Sequence, residues 1–232
     1  MSHYYSNVRI RLLVLALASS TYFCFAATLR AAETRVLDQM HSPQPYVFGA
    51  AVDYSQRRAQ TFTVGQSGIL DRVELQVWRE DSLTAPLIVE IRKTLAGSGA
   101  PDPSAGALLA SVSMAAYLFP TDKNTSTYTG VDLNAQSFAV SAGDVLALVA
   151  TSATPTYPKW YLWTTSDSGG TPPAPQYTRG MAFNALLAPW TWDVRASQDS
   201  GFRTFVTVPE PSGILLCLAG IATLMVWRWR KQ

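Results

Sequence analysis

Apolar residues recur at every second position through most of this chain. In Arg72-Val73-Glu74-Leu75-Gln76-Val77-Trp78, the residues Val73, Leu75 and Val77 fall on one side and Glu74, Gln76 and Trp78 on the other. Leu87, Val89 and Ile91 repeat the pattern against Glu90 and Arg92, and Thr129, Val131 and Leu133 repeat it against Asp132. Successive side chains of a strand point to opposite faces, so this alternation predicts strands buried on one side. Val145 to Ala150 is apolar on both faces and predicts a central strand covered on both sides. Further strands are predicted at Gln60–Val64, Leu108–Val112, Phe138–Val140, Trp160–Thr164, Gly180–Asn184, Trp190–Val194 and Phe202–Val208. Between Val47 and Val208 no stretch sustains the 3.6-residue period of an amphipathic helix.

The gaps between these strands hold Gly, Pro, Ser and Asp. Ser141-Ala142-Gly143-Asp144 reads as a tight turn delivering the chain into the central strand. Ala96 to Gly106 and Thr165 to Gln176 read as loops, and the strand pattern resumes unchanged after each, so neither divides domains. Short strands with this punctuation and no helices predict an all-β fold, an antiparallel jelly-roll-like β-sandwich spanning residues 47–208, with an immunoglobulin-like sandwich as the alternative. Residues 33–46, with Pro43 and Pro45, read as a flexible arm.

Residues 1–32 have the three parts of a secretory signal. Arg9 and Arg11 give a basic start, and apolar runs follow at Leu12–Ala18 and Tyr22–Phe25. Cys24 and Ala26 then occupy the −3 and −1 positions of a cut before Ala27, with a cut after Ala31 or Ala32 as the alternative. The apolar stretch falls short of the ~20 residues of a spanning helix, which favours a removed signal over an uncut anchor. At the other end, Val208-Pro209-Glu210-Pro211-Ser212 precedes the apolar run Gly213 to Trp227 and then Arg228-Trp229-Arg230-Lys231. Prolines block the helix on one side, and Arg228, Arg230 and Lys231 form a basic stop at the cytoplasmic side. So short a run spans with help from snorkelling ends or a thin bilayer.

This order of Pro209-Glu210-Pro211, transmembrane helix and basic tail over residues 209–232 resembles the PEP-CTERM sorting signal. The resemblance implies an exosortase as processing partner, in a Gram-negative bacterium that makes exopolysaccharide. It implies that the tail anchors transiently in the inner membrane and is cut near Pro-Glu-Pro. The body would then be released to the cell surface or extracellular matrix. A plain C-terminal anchor is the alternative, and the resemblance carries nothing about the chemistry of the body. Gln60–Val64 leading into the Val73–Val77 strand, and Asp199–Val206 closing the body, are loosely similar to exported jelly-roll modules, carbohydrate-binding ones among them.

Composition narrows the field of functions. Of 232 residues, 48% are hydrophobic and 15% charged, too apolar for a disordered chain. The formal charge of +2 hides an asymmetry: between residues 33 and 209 there are 12 basic and 15 acidic side chains. No nucleic-acid footprint is expected of such a body. Both cysteines, Cys24 and Cys217, fall in the terminal segments, so the body uses no disulfide. With His3 and His41 the only histidines, a Ser-His-Asp triad or a His-rich metal site has almost no material.

The remaining chemistry is aromatic and acidic. Alternation puts Tyr161 with Trp163, and Trp190 with Trp192, as two same-face pairs. Exposed, these four rings would stack on sugar rings and make a polysaccharide-binding platform; buried, they would fill the core. Glu74 and Glu90, if on neighbouring strands, would offer the paired carboxylates of a glycoside hydrolase, but no motif supports it and an enzyme is not expected. Asp53, Asp193 and Asp199 match no calcium loop and read as turn residues, so no metal site is expected. Gly97-Ser98-Gly99 lacks the lysine and helix of a phosphate loop, and no cofactor is expected. The body is therefore read as non-catalytic, with carbohydrate binding as the alternative.

Overall fold

Alternation of apolar and polar positions becomes strand after strand, with no α-helix among the described residues. The computed structural model describes residues 33–43, 48–122, 127–153, 160–167, 176–186 and 190–209. The signal segment, residues 210–232 with Glu210, Pro211, Arg228, Arg230 and Lys231, and both cysteines lie outside them. In chain order the strands are β1 (Glu33–His41), β2 (Phe48–Val52), β3 (Gln56–Thr63), β4 (Gly68–Leu75), β5 (Val77–Arg79), β6 (Leu87–Lys93), β7 (Leu108–Met114) and β8 (Thr129–Asp132). There follow β9 (Phe138–Val140), β10 (Val145–Ser152), β11 (Tyr161–Asp167), β12 (Ala182–Leu186), β13 (Trp192–Arg195), β14 (Gln198–Ser200) and β15 (Phe202–Pro209). Arg35–Val208 is one compact unit.

Three sheets make a β-sandwich-type fold. The first runs β1-β15-β4-β8, with β9 pairing the remaining length of β4. The second runs β13-β12-β3-β10-β6-β7, antiparallel throughout. The third runs β14-β11-β2, with β5 also on β11. Their inner faces share one apolar core: Leu70, Val73 and Leu75 of β4, Phe202 and Val206 of β15, Phe62 of β3, Leu146 and Leu148 of β10, and Leu87, Val89 and Ile91 of β6. Each such side chain contributes on the order of 2 kcal/mol by leaving water. The central strand is covered on both sides as its sequence predicts. Leu146, Leu148 and Ala150 enter the main core, whereas Ala147 and Val149 join a second cluster with Ala59, Ala100 and Phe183 on the outer face.

Two junctions explain how one run of residues serves two sheets. The run 72–78 is not a single strand, because the chain changes sheets at Gln76. There the Gln76 N–H donates to Gly201 O (3.0 Å) and its carbonyl accepts from Thr164 N (2.9 Å). The turn before β10 closes as expected: Gly143 takes φ +97°, open to glycine and strained for other residues, and its N–H donates to Val64 O. The expected arm is a strand instead over 33–41. β1 pairs with β15, its Gln39 N–H donates to the buried Thr204 Oγ1 (3.1 Å), and the His41 carbonyl accepts from Tyr128 OH (3.0 Å).

Candidate functional site

The four aromatic residues singled out by alternation are split between the inside and the outside of the sandwich. Tyr161 and Trp163 do share a face of β11, but it is the inner one, and both are wholly buried. The Tyr161 hydroxyl donates to Ala85 O (2.6 Å), and its ring meets Phe119 edge-on at 5.3 Å. Trp163 Nε1–H donates to Gly201 O (2.9 Å). Flanked in its sheet by β2 on one side and by β5 and β14 on the other, β11 places that face against the main core. Neither ring can stack on a ligand, and the four-ring platform is corrected to core packing at these two positions.

Trp190 and Trp192 lie differently. Trp192 is partly buried against the second cluster, on the outer face of the six-stranded sheet. Its row across the sheet continues through Ala185 of β12 to Arg57 of β3. Over that row the Arg57 guanidinium lies on the Trp190 ring, 4.1 Å from its centroid. Arg57 forms no salt bridge or hydrogen bond among the described residues, and its Nε is buried without a partner. Burial draws its pKa down, opposed by the charge of Glu90 and reinforced by that of Arg92. Glu90 itself is occupied, since its carboxylate holds Arg92 Nε at 2.7 Å. Arg92 also donates to the carbonyls of Asp102 and Ser104, tying the loop between β6 and β7 to the same face. Ser111 and Ser113 of β7, opposite Glu90 and Ile88, extend the face to its far edge.

The carboxylates do not assemble into a catalytic pair. Glu74 stands on β4 in the five-stranded sheet, between Arg72 (3.1 Å) and Arg203 (3.4 Å), whereas Glu90 stands on β6 in the six-stranded one. Asp53, Asp193 and Asp199 likewise remain separate. Asp53 caps the turn into β3 by accepting from Ser55 N, Ser55 Oγ and Gln56 N. Asp193 is exposed on β13. Asp199 is buried on β14, accepting from Gln60 Nε2 (3.1 Å) and Tyr177 N (2.9 Å). Burial raises the Asp199 pKa against the pull of these two donors. Among the described residues no group of three His, Cys, Asp or Glu side chains is placed to hold a metal ion.

Two further features were not anticipated from sequence. A cleft of about 330 Å³ opens beside β7, β9 and β10, lined by Leu109, Phe138, Val140 and Leu146 together with Lys93 and Asp144. Inside the sandwich, the Tyr177 hydroxyl donates to Gln39 Oε1 (2.9 Å), and His41 sits 6.1 Å from the Tyr177 ring. Burial lowers the His41 pKa to about 4 and raises that of Tyr177 to about 12. Neither group is poised for proton transfer near neutral pH.

No family model and no curated protein matches the sequence. Among solved structures, the chain is similar to the cysteine protease and lectin-like domains of Cwp84, a surface-layer-associated protein of Clostridium difficile, at 14% identity and a TM-score of 0.45. The match covers 75% of this chain and 36% of that one.

Proposed function

We propose that this protein is a non-catalytic component of the cell surface or extracellular matrix, exported by its N-terminal signal and sorted through its tail by an exosortase. The observation that carries the reading is the sequence of the tail itself: Pro209-Glu210-Pro211, then an apolar run, then a basic end. The division of the chain supports it, because the compact unit closes at Val208, directly before this motif. A cut near Pro211 would leave every core strand in place. In this reading the tail anchors the chain in the inner membrane until processing. The interleaving of early and late strands in each sheet, β15 beside β4 and β10 between β3 and β6, supports the finer description of the body as a jelly roll. The non-catalytic reading is supported by the arginine-paired carboxylates on separate sheets and the buried, neutral His41.

The test is the mass of the mature chain in an exosortase-bearing host. Mass spectrometry of the surface fraction should find no residues beyond about Pro211, in keeping with a cut at the helix break. An intact terminus at Lys231-Gln232 in that fraction would overturn the sorting reading.

A further inference from the structure

We propose that Arg57, held flat against Trp190, is the anion-recognising residue of a binding face for an acidic polysaccharide, a glycan whose repeat carries carboxylate groups. The starting point is an imbalance of charge on the outer face of the six-stranded sheet. Arg57 and Arg92 share the neighbourhood of one carboxylate, Glu90, and that carboxylate is committed to Arg92 at 2.7 Å. The nearby Asp102 accepts from the backbone of its own loop at Ser104 N (2.8 Å). Arg57 is left with the π face of Trp190 and no acceptor among the described residues, its Nε already shut off from water. A guanidinium carries five donors in a planar fork that matches a carboxylate, and leaving such donors half-buried and unmet is unfavourable. The indole holds the fork in one plane before any ligand arrives, which lowers the ordering cost of binding.

The shape of the face argues for a chain rather than a small anion. Arg57 stands on an extended sheet surface and is not among the residues lining the cleft beside β9. A small acid would gain one contact there. A polysaccharide can add shallow ones: sugar rings against the partly exposed Trp192 in the same row, and hydroxyls against Ser111 and Ser113 across the sheet. An acidic peptide would pair with Arg57 but has no pyranose faces to lay on the aromatic surface.

The inference rests on the export reading only for where such a glycan is met. Its test uses the purified full chain, so its failure leaves the sorting test untouched. Binding to immobilised polygalacturonate, neutral dextran, dextran sulfate and polyglutamate is measured at near-physiological salt, where a purely long-range attraction is screened. Polygalacturonate should bind and dextran should not. Arg57→Gln should weaken binding tenfold or more with little change in melting temperature, because Arg57 has no acceptor to lose among the described residues. Arg57→Lys keeps the charge and the aliphatic stem without the fork; it should fold like the parent and still lose several-fold. This second variant decides the matter if Arg57→Gln fails to fold. Absence of polygalacturonate binding would overturn the proposal, as would unchanged affinity in both folded variants. Equal binding to dextran, or tighter binding to dextran sulfate or polyglutamate, would also overturn the assignment of a carboxylated glycan.

Discussion

His41 closes β1 facing inward at 5% exposure, its Nε2 without a hydrogen-bond partner among the described residues. Burial moves its pKa from 6.5 to about 4, and the hydrogen bond to the Asp199 backbone opposes this only in part. The unfolded chain takes up a proton near pH 6.5 while the folded one resists until about 4, so stability falls as the pH drops through that window. The loss amounts to about 3 kcal/mol, complete below the folded value. Asp199 works in the other direction: with its folded pKa raised, the native state binds a proton first and gains stability as the pH falls through that value. Urea titrations between pH 7 and 4 should therefore show a smaller loss of stability in His41→Gln than in the parent, and a larger one in Asp199→Asn. An identical slope in His41→Gln would contradict the burial argument. Residue-level reading from sequence reached the same-face pairing of Tyr161 with Trp163, because period two is backbone geometry. It could not tell which face was inside, since both candidate faces of β11 carry large apolar groups. Arg57 was hidden for a related reason: Arg57-Arg58 breaks the alternation. Arg58 points inward, donates to Ala51 O (3.2 Å), and has its pKa lowered to about 10, chiefly by burial.

Strands that followed the apolar rhythm were readable from sequence, and those that missed it were not. The three-residue strand at Phe138–Val140 lies where alternation put it, and β10 is doubly covered as its uniform apolarity required. β14 is Gln198-Asp199-Ser200, a polar strand in which the burial of Asp199 and Ser200 is made possible by Gln60 and Ser166, not by hydrophobicity. β1 reverses the usual code: Gln39 and His41 are buried, whereas Leu37 and Met40 are 45% and 49% exposed. Hydrogen bonds set its register. Asp38 accepts from Gly65 N and Gln66 N, Gln39 bridges Thr204 and Tyr177, and Arg35 pairs with Asp71 at 3.0 Å. A chain beginning at Pro43 should thus be less stable than one beginning at Glu33 by roughly 3–5 kcal/mol, the sum of several buried hydrogen bonds and newly exposed core. A lower urea midpoint would show this directly. Equal midpoints would return residues 33–41 to the status of an arm.

At the level of the whole molecule, stability comes from a continuous apolar core whose members come from all three sheets. Between residues 33 and 209 there is no cysteine to staple the sheets together. Several acidic side chains of that span are committed to local structure: Asp53 holds a turn, Asp71, Glu74 and Asp132 alternate with Arg35, Arg72 and Arg203 across the outer face of the five-stranded sheet, and Glu90 holds Arg92. Ion pairs at or near the surface contribute little individually, so screening them with salt should move the melting temperature only slightly. The same reasoning makes the fold indifferent to both reagents that dismantle stapled exported domains. A disulfide in a small secreted domain typically carries 2–5 kcal/mol, and a structural metal carries more. For a body of this size each kcal/mol corresponds to a few degrees. Heating the full chain with and without excess thiol, and separately with and without a chelator, should therefore give superimposable melts by near-ultraviolet circular dichroism. A drop of ten degrees with thiol would mean that Cys24 or Cys217 contributes to the fold. The same drop with chelator would mean that acidic groups such as Asp193 or Asp199 hold an ion, and would displace the apolar core as the main source of stability.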